Sequence, residues 1–452
     1  MTPGTHPQLH PGETGRHPLD RLEPQLSLAD ATMLVVSSVI GVGIFLTPGT
    51  VAAALPSTWA FLAAWAVGGM LSLAGALANA ELGAMYPHAG GDYVYLREAW
   101  HPLAGFVVGW LSFFVIYAGT VATLAVGFAE GLASFIDLGA GARTGVAVAI
   151  TIAASAINHR GVRLGAWLNN VTAGFKIVAL VALAVAGPLL GHAPVHHGET
   201  GAGGAVTLAG FGLALSPVLF SYLGWNASVY VASEIRRHQR DLPLSLFLGL
   251  ALSTAVYLMV NLSYVYALPI EGMRGQTRVG EAAARVFFGD AGATLAAVLI
   301  LGSIVSCLNA TILVGPRIAY AMAIDGLFFR SVRGVHEKYR TPHIAIAVQA
   351  ATAIALIVLL RRFPSVLDYT TFAIVLATMA DTAALYALRR RHPRRPRPYR
   401  AWGYPLVPAL YMVANAGIAA AMLWGRPLEC AAALAVTATA LPAYAFFVRR
   451  GV

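Results

Sequence analysis

The chain has 452 residues, of which 58% are hydrophobic and 11% are charged, and its formal net charge is +10. Its mean hydropathy of +0.69 excludes a soluble protein of this size and predicts a polytopic membrane protein. The positive charge does not predict nucleic-acid binding. The basic residues concentrate between apolar segments, on the side that the positive-inside rule assigns to the cytoplasm.

The N-terminal segment, residues 1–26, is rich in Pro, His and Gly and has no apolar core. It predicts a disordered cytoplasmic tail and not a signal peptide. After it, twelve apolar segments have suitable lengths to cross a bilayer, although the fourth is short. The positive-inside rule places the N-terminus in the cytoplasm, and an even number of spans then places the C-terminus there as well. The predicted spans lie near residues 29–54, 59–85, 103–136, 144–157, 164–190, 208–234, 243–268, 292–323, 343–360, 367–391, 404–424 and 428–448.

The first apolar segment is interrupted by Gly41 and Gly43. A glycine costs about 1 kcal/mol in a helix interior, so two close together favour unwinding. Unwound backbone is tolerated at membrane depth only beside protein or a watery cavity, and secondary transporters build substrate sites from such half-helices. The alternative is that the glycines only allow close helix packing.

This interruption predicts free peptide groups of both polarities. The N–H groups of Val42, Gly43 and Ile44 would begin a half-helix and suit a carboxylate. The carbonyls of Val39 and Ile40 would end the preceding half-helix and suit an ammonium group. A pocket with both features fits a zwitterion such as an α-amino acid.

The sixth apolar segment is interrupted in the sequence FSYLGWN, residues 220–226. The carbonyls of Phe220, Ser221 and Leu223 would add to the ammonium side of the pocket. Interruptions five spans apart are typical of two inverted repeats. The sequence therefore predicts an all-α membrane protein with twelve transmembrane helices, in which a 5+5 inverted repeat is followed by two further helices.

The predicted organisation has three parts. Residues 27–391 form a transport core of two inverted five-helix repeats, about 27–190 and 208–391. Residues 392–452 form a basic cytoplasmic loop and the last two transmembrane helices. The run from Arg389 to Arg400 in this region is either an orientation signal or a contact for anionic lipid.

Two ionisable residues lie deep in predicted spans. Lys176 is far inside the fifth span, where a buried ammonium needs carbonyls or an acid as partners, so it is either a titrating group or a static strut. Asp381 is midway along the tenth span, the counterpart of the fifth. It is either a partner for a buried cation or a proton site, unless a water-filled crevice reaches it.

The eighth span carries polar residues at helical spacing, namely Ser303, Ser306 and Cys307, with Asn309 close by. Such a face lines a cavity or forms helix–helix hydrogen bonds. Cys307 and Cys430 are in or beside apolar spans, so we expect no disulfide framework.

No catalytic or nucleotide-binding signature is present, so the sequence predicts neither an enzyme nor a cofactor, and uphill transport would draw on a gradient or on exchange. His192, His196 and His197 follow the fifth span. They form either a metal site or, as we expect, a solvated loop with no metal.

Several motifs together resemble the amino acid–polyamine–organocation superfamily, and within it the L-type amino-acid transporters and their bacterial relatives. The resemblance covers nearly all of the chain from about Leu28. The motifs are Val39–Pro48 (VIGVGIFLTP), Ala80–Tyr95 (AELGAMYPHAGGDYVY), Phe220–Asn226 (FSYLGWN), Asp241–Pro243, Asn309, Arg397–Arg400 and Trp424–Cys430.

The resemblance implies a leucine-transporter fold that works by alternating access. It implies that Phe220 is a gate over the substrate, that Asn226 lies in the pocket, and that Ser303 and Cys307 face it. Lys176 resembles the family's fifth-span lysine, which occupies the position of sodium in related ion-coupled carriers. The resemblance therefore implies sodium-independent transport.

Three departures from the family pattern bear on specificity and partners. Val42 stands where a serine is common, so only a backbone contact remains there. Leu223 replaces a glycine of exchangers for large amino acids and, if it faces the pocket, favours small or medium neutral substrates. Residues 131–145 contain no cysteine for a disulfide-linked heavy chain, so we expect none.

The sequence therefore predicts a sodium-independent transporter, either an exchanger or proton-coupled, for small to medium neutral L-amino acids. The abundance of Ala and of Arg over Lys favours the cytoplasmic (inner) membrane of a bacterium. A proton-coupled transporter of cationic amino acids or polyamines is the alternative, although the pocket contains no obvious acid. A transport-inactive amino-acid sensor is another, whereas a channel would need a continuous polar ring.

Overall fold

The computed structural model describes residues 20–133, 135–191, 206–276, 278–360 and 363–450. Within these ranges the chain is helical with connecting turns, and its one β-type pairing is an isolated bridge between Leu26 and Ile235. Most of the predicted tail and the three histidines at 192, 196 and 197 lie outside the described residues.

The N-terminal half contains the first interrupted span and four long helical spans. A π-helical segment, Leu111–Tyr117, joins α6 to α7, so that the third span runs from Pro102 to Leu132. The helices are α1 Leu28–Val39, α2 Gly43–Leu46, α3 Pro48–Ala54, α4 Thr58–Met85, α5 Asp92–Ala99, α6 Pro102–Trp110, α7 Ala118–Leu132, α8 Ala140–His159 and α9 Val162–Leu190.

The C-terminal half begins with the second interrupted span. Two short 3₁₀ turns, Ala232–Glu234 and Arg330–Arg333, lie between its helices. The helices are α10 Leu208–Ser221, α11 Ala227–Tyr230, α12 His238–Ala267, α13 Ile270–Met273, α14 Val279–Val314, α15 Pro316–Ile324, α16 His343–Leu360, α17 Phe363–Arg391, α18 Leu406–Gly425, α19 Pro427–Ala438 and α20 Ala440–Arg450.

Ten helical stretches among the described residues are long and apolar enough to cross a membrane. Two further apolar helices, Gly210–Ser221 and His343–Leu359, are shorter. Both coincide with predicted spans, the sixth and the ninth. The number of twelve spans and the inverted repeat remain predictions.

Some predicted boundaries differ from the observed ones. The fourth span is longer than predicted, because helix α8 continues through polar residues at both ends of its apolar stretch. The helix before the eighth span merges with it at Gly289, whose φ of 65° bends the chain there. Thr439 divides the last span into α19 and α20.

Charged residues at the predicted cytoplasmic side form buried ion pairs. Glu81 is fully buried and accepts hydrogen bonds from Arg389, Arg397 and the backbone of Ala401. Part of the basic run that follows the tenth span is therefore bound to the second span. Arg317 and Glu234 form a second buried pair at 2.7 Å.

The described end of the predicted tail contacts the helices. The amides of Gln25 and Leu26 both donate to the Glu234 carbonyl, at 2.9 and 2.8 Å, and the amide of Arg236 donates to the Leu26 carbonyl at 3.0 Å. Leu22 and Leu26 are buried. Residues 20–26, which we call the strap, thus contact the helices, and the disorder of the tail stays a prediction.

Candidate functional site

The first span is interrupted as predicted. Helix α1 ends at Val39, and α2 begins at Gly43. The Gly41 amide donates to the Val39 carbonyl at 2.8 Å, and the first helical donors after the break are Phe45 and Leu46, both bonded to Val42. The amides of Val42, Gly43 and Ile44 therefore precede the first hydrogen bond of α2.

The sixth span is also interrupted as predicted. Helix α10 ends at Ser221, and α11 begins at Ala227 after a run of turns. Gly224 has a φ of 96°, and a Cβ at this position would lie 2.8 Å from the Ser38 carbonyl oxygen. Both the backbone conformation and the close approach to the first span require glycine here.

The two breaks touch each other. A Cβ on Gly43 would lie 2.5 Å from the Oγ of Ser221, and Thr47 Oγ1 is 2.9 Å from the same oxygen. The Tyr257 hydroxyl lies 2.7 Å from both the Val39 and the Ser221 carbonyl oxygens. Close packing and unwinding, which the sequence posed as alternatives, therefore occur together at Gly43.

Sequence reasoning missed Tyr257. The residue is fully buried in α12 and packs edge-on against Trp65 and at a 62° angle against Tyr222. Its hydroxyl can donate to one of the two carbonyls at a time. A tyrosine in an apolar span gives no local signal of this role, because its partners lie on other helices.

A cavity of about 130 Å³ lies beside the two breaks. Eight of the predicted site residues line it, and five do not. The lining residues among those predicted are Val39, Val42, Gly43, Phe220, Ser221, Leu223, Asn226 and Cys307. The predicted residues that do not line it are Ile40, Ile44, Ser303, Lys176 and Asp381.

Lys176 is buried in α9 and spans the gap between the first and eighth spans. Its Nζ donates to the carbonyl of Ser37 at 3.0 Å and to that of Ile40, and lies 3.7 Å from Cys307 Sγ. Ser303 Oγ also donates to Ile40, at 3.2 Å. The Ile40 carbonyl therefore binds Lys176 and Ser303 instead of facing the cavity.

Sequence analysis left open whether the polar residues of the eighth span line a cavity or form helix–helix hydrogen bonds, and both occur. Cys307 lines the cavity and contacts the Ser37 carbonyl at 2.8 Å. Ser306 lies 2.7 Å from the Ser37 hydroxyl, and Asn309 accepts a hydrogen bond from Asn158 at 2.8 Å. These last two contacts join helices and do not face the cavity.

Asp381 is fully buried in α17, and it does not lie in an open crevice. The groups that interact with its carboxyl are Asp92 and Asn79. The structure thus places a second carboxyl beside Asp381, where the sequence left a cation as one possible partner. Asp92 and Tyr230 both line the cavity, and sequence reasoning assigned neither to the site.

Asp92 lies in the segment Gly91–Tyr93, between the second and third spans, and it is part of the motif Ala80–Tyr95. That motif was its one sequence signal. Asp92 is the first residue of helix α5, which packs against α17 and has most of its residues buried.

Similarity to known proteins extends along most of the chain. A family model described as "Amino acid permease" matches residues 26–440. The serine/threonine exchanger SteT of Bacillus subtilis (strain 168) is 29% identical over 430 residues, which cover 94% of this chain and 96% of that protein.

Two animal proteins are also similar. The human b(0,+)-type amino acid transporter 1 is 27% identical over 389 residues, 84% of this chain and 79% of the relative. The large neutral amino acids transporter small subunit 2 of Mus musculus is 26% identical over 439 residues, 94% of this chain and 81% of the relative. These relatives are membrane transporters and not enzymes. The chain belongs to the amino acid permease family of the amino acid–polyamine–organocation superfamily.

Proposed function

We propose that this protein is a sodium-independent transporter that moves small to medium neutral L-amino acids across a membrane by alternating access. One observation carries the proposal: the interruptions of two different spans border the same cavity. This arrangement supplies amide donors and carbonyl acceptors close together, which suits a zwitterion.

In the proposed binding mode, the substrate carboxylate lies at the N-terminus of α2 and binds the amides of Val42 and Gly43, which line the cavity. The ammonium group binds carbonyls at the end of α10 and in the break that follows it, with Leu223 as the main acceptor. Phe220 and Val39 are weaker acceptors, because the Phe220 carbonyl already receives a bond from Leu223 and the Val39 carbonyl already receives bonds from Gly41 and Tyr257.

The size of the cavity supports a small substrate. Its volume is about 130 Å³, slightly less than the roughly 150 Å³ of an engineered cavity that holds benzene. Leu223 and Phe220 both line this space. In the proposed mechanism Phe220 covers the bound substrate, Leu223 limits the length of its side chain, and Asn226 and Cys307 contact its polar atoms.

Lys176 replaces a sodium ion in this proposal. A fixed ammonium between the carbonyls of Ser37 and Ile40 supplies the positive charge that a bound ion would otherwise provide. Ser303 supports the same carbonyl. Transport then needs no sodium.

We further propose twelve spans, arranged as two inverted repeats of five followed by two helices. Ten of them are the long helical stretches described above, and α10–α11 and α16 form the other two. The protein would lie in a bacterial cytoplasmic membrane with both termini inside. It would act without a disulfide-linked heavy chain, since the side chains of its two cysteines, Cys307 and Cys430, are both buried.

The test is uptake into proteoliposomes that contain the purified full-length protein. Labelled serine, alanine, leucine, phenylalanine, arginine and putrescine are supplied with sodium or potassium chloride outside, and with or without amino acid inside. We expect uptake of serine and alanine that is equal in the two salts. Preferred uptake of arginine or putrescine would support the cationic alternative, and binding without uptake at any pH would support a sensor.

A further inference from the structure

Two carboxyl groups meet in the protein interior, close to the cavity. Asp92 begins α5 and Asp381 lies in α17, and these two helices pack against each other. Both side chains are fully buried, and the two carboxyls interact with each other. Two carboxylates are both acceptors, so this contact forms a hydrogen bond only when one of them carries a proton.

Neighbouring groups donate hydrogen bonds to one oxygen of Asp92 but not to the other oxygens of the two carboxyls. The Tyr230 hydroxyl donates to Asp92 Oδ2, and Ser112 Oγ lies 3.4 Å from the same oxygen. In the part of the chain that the structure describes, Asp92 Oδ1 and both oxygens of Asp381 receive no donor. The amide of Asn79 is fully buried beside Asp381, and its own polar atoms do not reach hydrogen-bond geometry.

The ionisable groups that face the pair come from four other positions. Tyr95 lies on α5, Tyr117 on the π-helical segment, Tyr230 on α11 and Tyr411 on α18. None of these groups carries positive charge, so none of them compensates two buried carboxylates. Burial raises the pKa of the Asp92 carboxyl, which stabilises its protonated form.

The pair is connected to the cavity through the second interrupted span. Asp92 itself lines the cavity, and so does Tyr230, which ends α11 just after the break. Asn226, in the break, donates to the Tyr230 hydroxyl at 3.3 Å. Thr378 lines the cavity one helical turn before Asp381. A rearrangement of the break around a substrate would therefore move the donor that holds Asp92.

We propose that Asp92 and Asp381 form a proton-binding site in which the two carboxyls share one proton, and that this proton is bound more tightly when an amino acid fills the cavity. The proposal rests on the amino-acid transport proposed above and deepens it by naming a coupled ion. Binding converts the pair from a charge of −2 to −1. The proton comes from water and returns to water when the pair separates.

The sign of the pH dependence follows from the contact itself. In this proposal the observed arrangement, in which Asp92, Tyr230 and the second break all border the cavity, requires the shared proton. Raising the pH removes this proton, the two carboxylates repel each other, and the contact opens. Substrate affinity should therefore fall as pH rises, by at most about tenfold per pH unit when one proton is linked to binding.

A substrate-independent measurement tests the shared proton. The infrared spectrum of the purified full-length protein at neutral pH should contain the carbonyl band of a protonated carboxylic acid, which disappears reversibly on alkaline titration. The band should be lost in Asp381→Asn and kept in Asp290→Asn, whose carboxyl is exposed. Absence of the band in the natural protein, or its persistence in Asp381→Asn, would overturn the proposal.

A second measurement tests the link to substrate. Serine affinity is measured from pH 5.5 to 8.5, and proton uptake on binding is followed with an indicator dye in weak buffer. The asparagine in Asp381→Asn can donate permanently to Asp92, so this variant should bind serine equally at all pH values and take up no proton. Asp290→Asn should behave as the natural protein.

The outcomes separate the two proposals. A natural protein that binds serine with constant affinity and no proton uptake overturns the coupling, while amino-acid transport stands. A protonated-acid band that depends on Asp381, in a protein that neither binds nor transports any amino acid, retains the shared proton and overturns the proposed function. If Asp381→Asn does not fold, the alkaline infrared titration of the natural protein still tests the shared proton, and its serine affinity across the pH range still tests the coupling.

Discussion

Substitution of Gly43 by Ala should separate the two interrupted spans. The added Cβ would lie 2.5 Å from Ser221 Oγ and 2.7 Å from both its Cα and its Cβ. A hydroxyl could rotate away from this contact, but the Cα of Ser221 belongs to the backbone and cannot move without α10. The substitution therefore forces the two breaks apart at the point where they border the cavity.

The expected magnitude follows from overpacking. Insertion of a methyl group into a well-packed interior costs about 1–3 kcal/mol, which corresponds to about a five- to 150-fold loss of affinity if the substrate-bound state needs the close contact. The assay is serine binding to the purified protein, together with uptake into proteoliposomes. We expect a dissociation constant at least about fivefold higher than that of the natural protein, with a reduced initial rate of uptake.

Gly302 provides the matched control. It lies in α14, one of the helices that border the cavity, and a Cβ there would meet nothing within 4 Å. Gly302→Ala should bind serine within twofold of the natural protein, and the helix should gain up to about 1 kcal/mol of intrinsic stability. If Gly43→Ala bound serine as well as Gly302→Ala does, the reasoning from contact between the breaks would be refuted.

Two further substitutions test the ion position and the size limit. Lys176→Ala removes the charged donor from the buried carbonyls of Ser37 and Ile40. The loss costs about 1–3 kcal/mol, so uptake should fall at least about fivefold, whereas Ala at the exposed Lys338 should have no effect. Equal uptake by both variants would contradict a role for the buried ammonium. Leu223→Gly should enlarge the cavity and increase the preference for leucine over alanine in competition assays by about tenfold, and an unchanged preference would show that this side chain does not limit the substrate.

The interruptions of the first and sixth spans could be predicted because their cause is local. Gly41, Gly43 and Gly224 weaken a helix wherever it lies, and the spacing along the chain marks both positions. The burial of Lys176 against carbonyls was predictable for a similar reason. A single ammonium so far inside an apolar segment must find oxygen partners on neighbouring helices.

The rest of the site depends on contacts between distant segments. The pairing of Asp92 with Asp381 arises because a short helix between the second and third spans packs against the tenth, and no pattern within either segment encodes that placement. Glu81 and its arginine partners are a similar case. Charge counting assigned the arginines to a membrane surface, although two of them pair with a buried carboxylate on another helix.

Main-chain hydrogen bonds between the strap before α1 and the turn after α11 have a mechanical consequence. Three backbone bonds join Gln25 and Leu26 to Glu234 and Arg236, and none of them depends on a particular side chain. The two discontinuous spans are therefore tied together at one end and in contact again at their midpoints. In a conformational change the two interrupted spans would move together as one rigid body, and the hinge residues would lie outside these two spans.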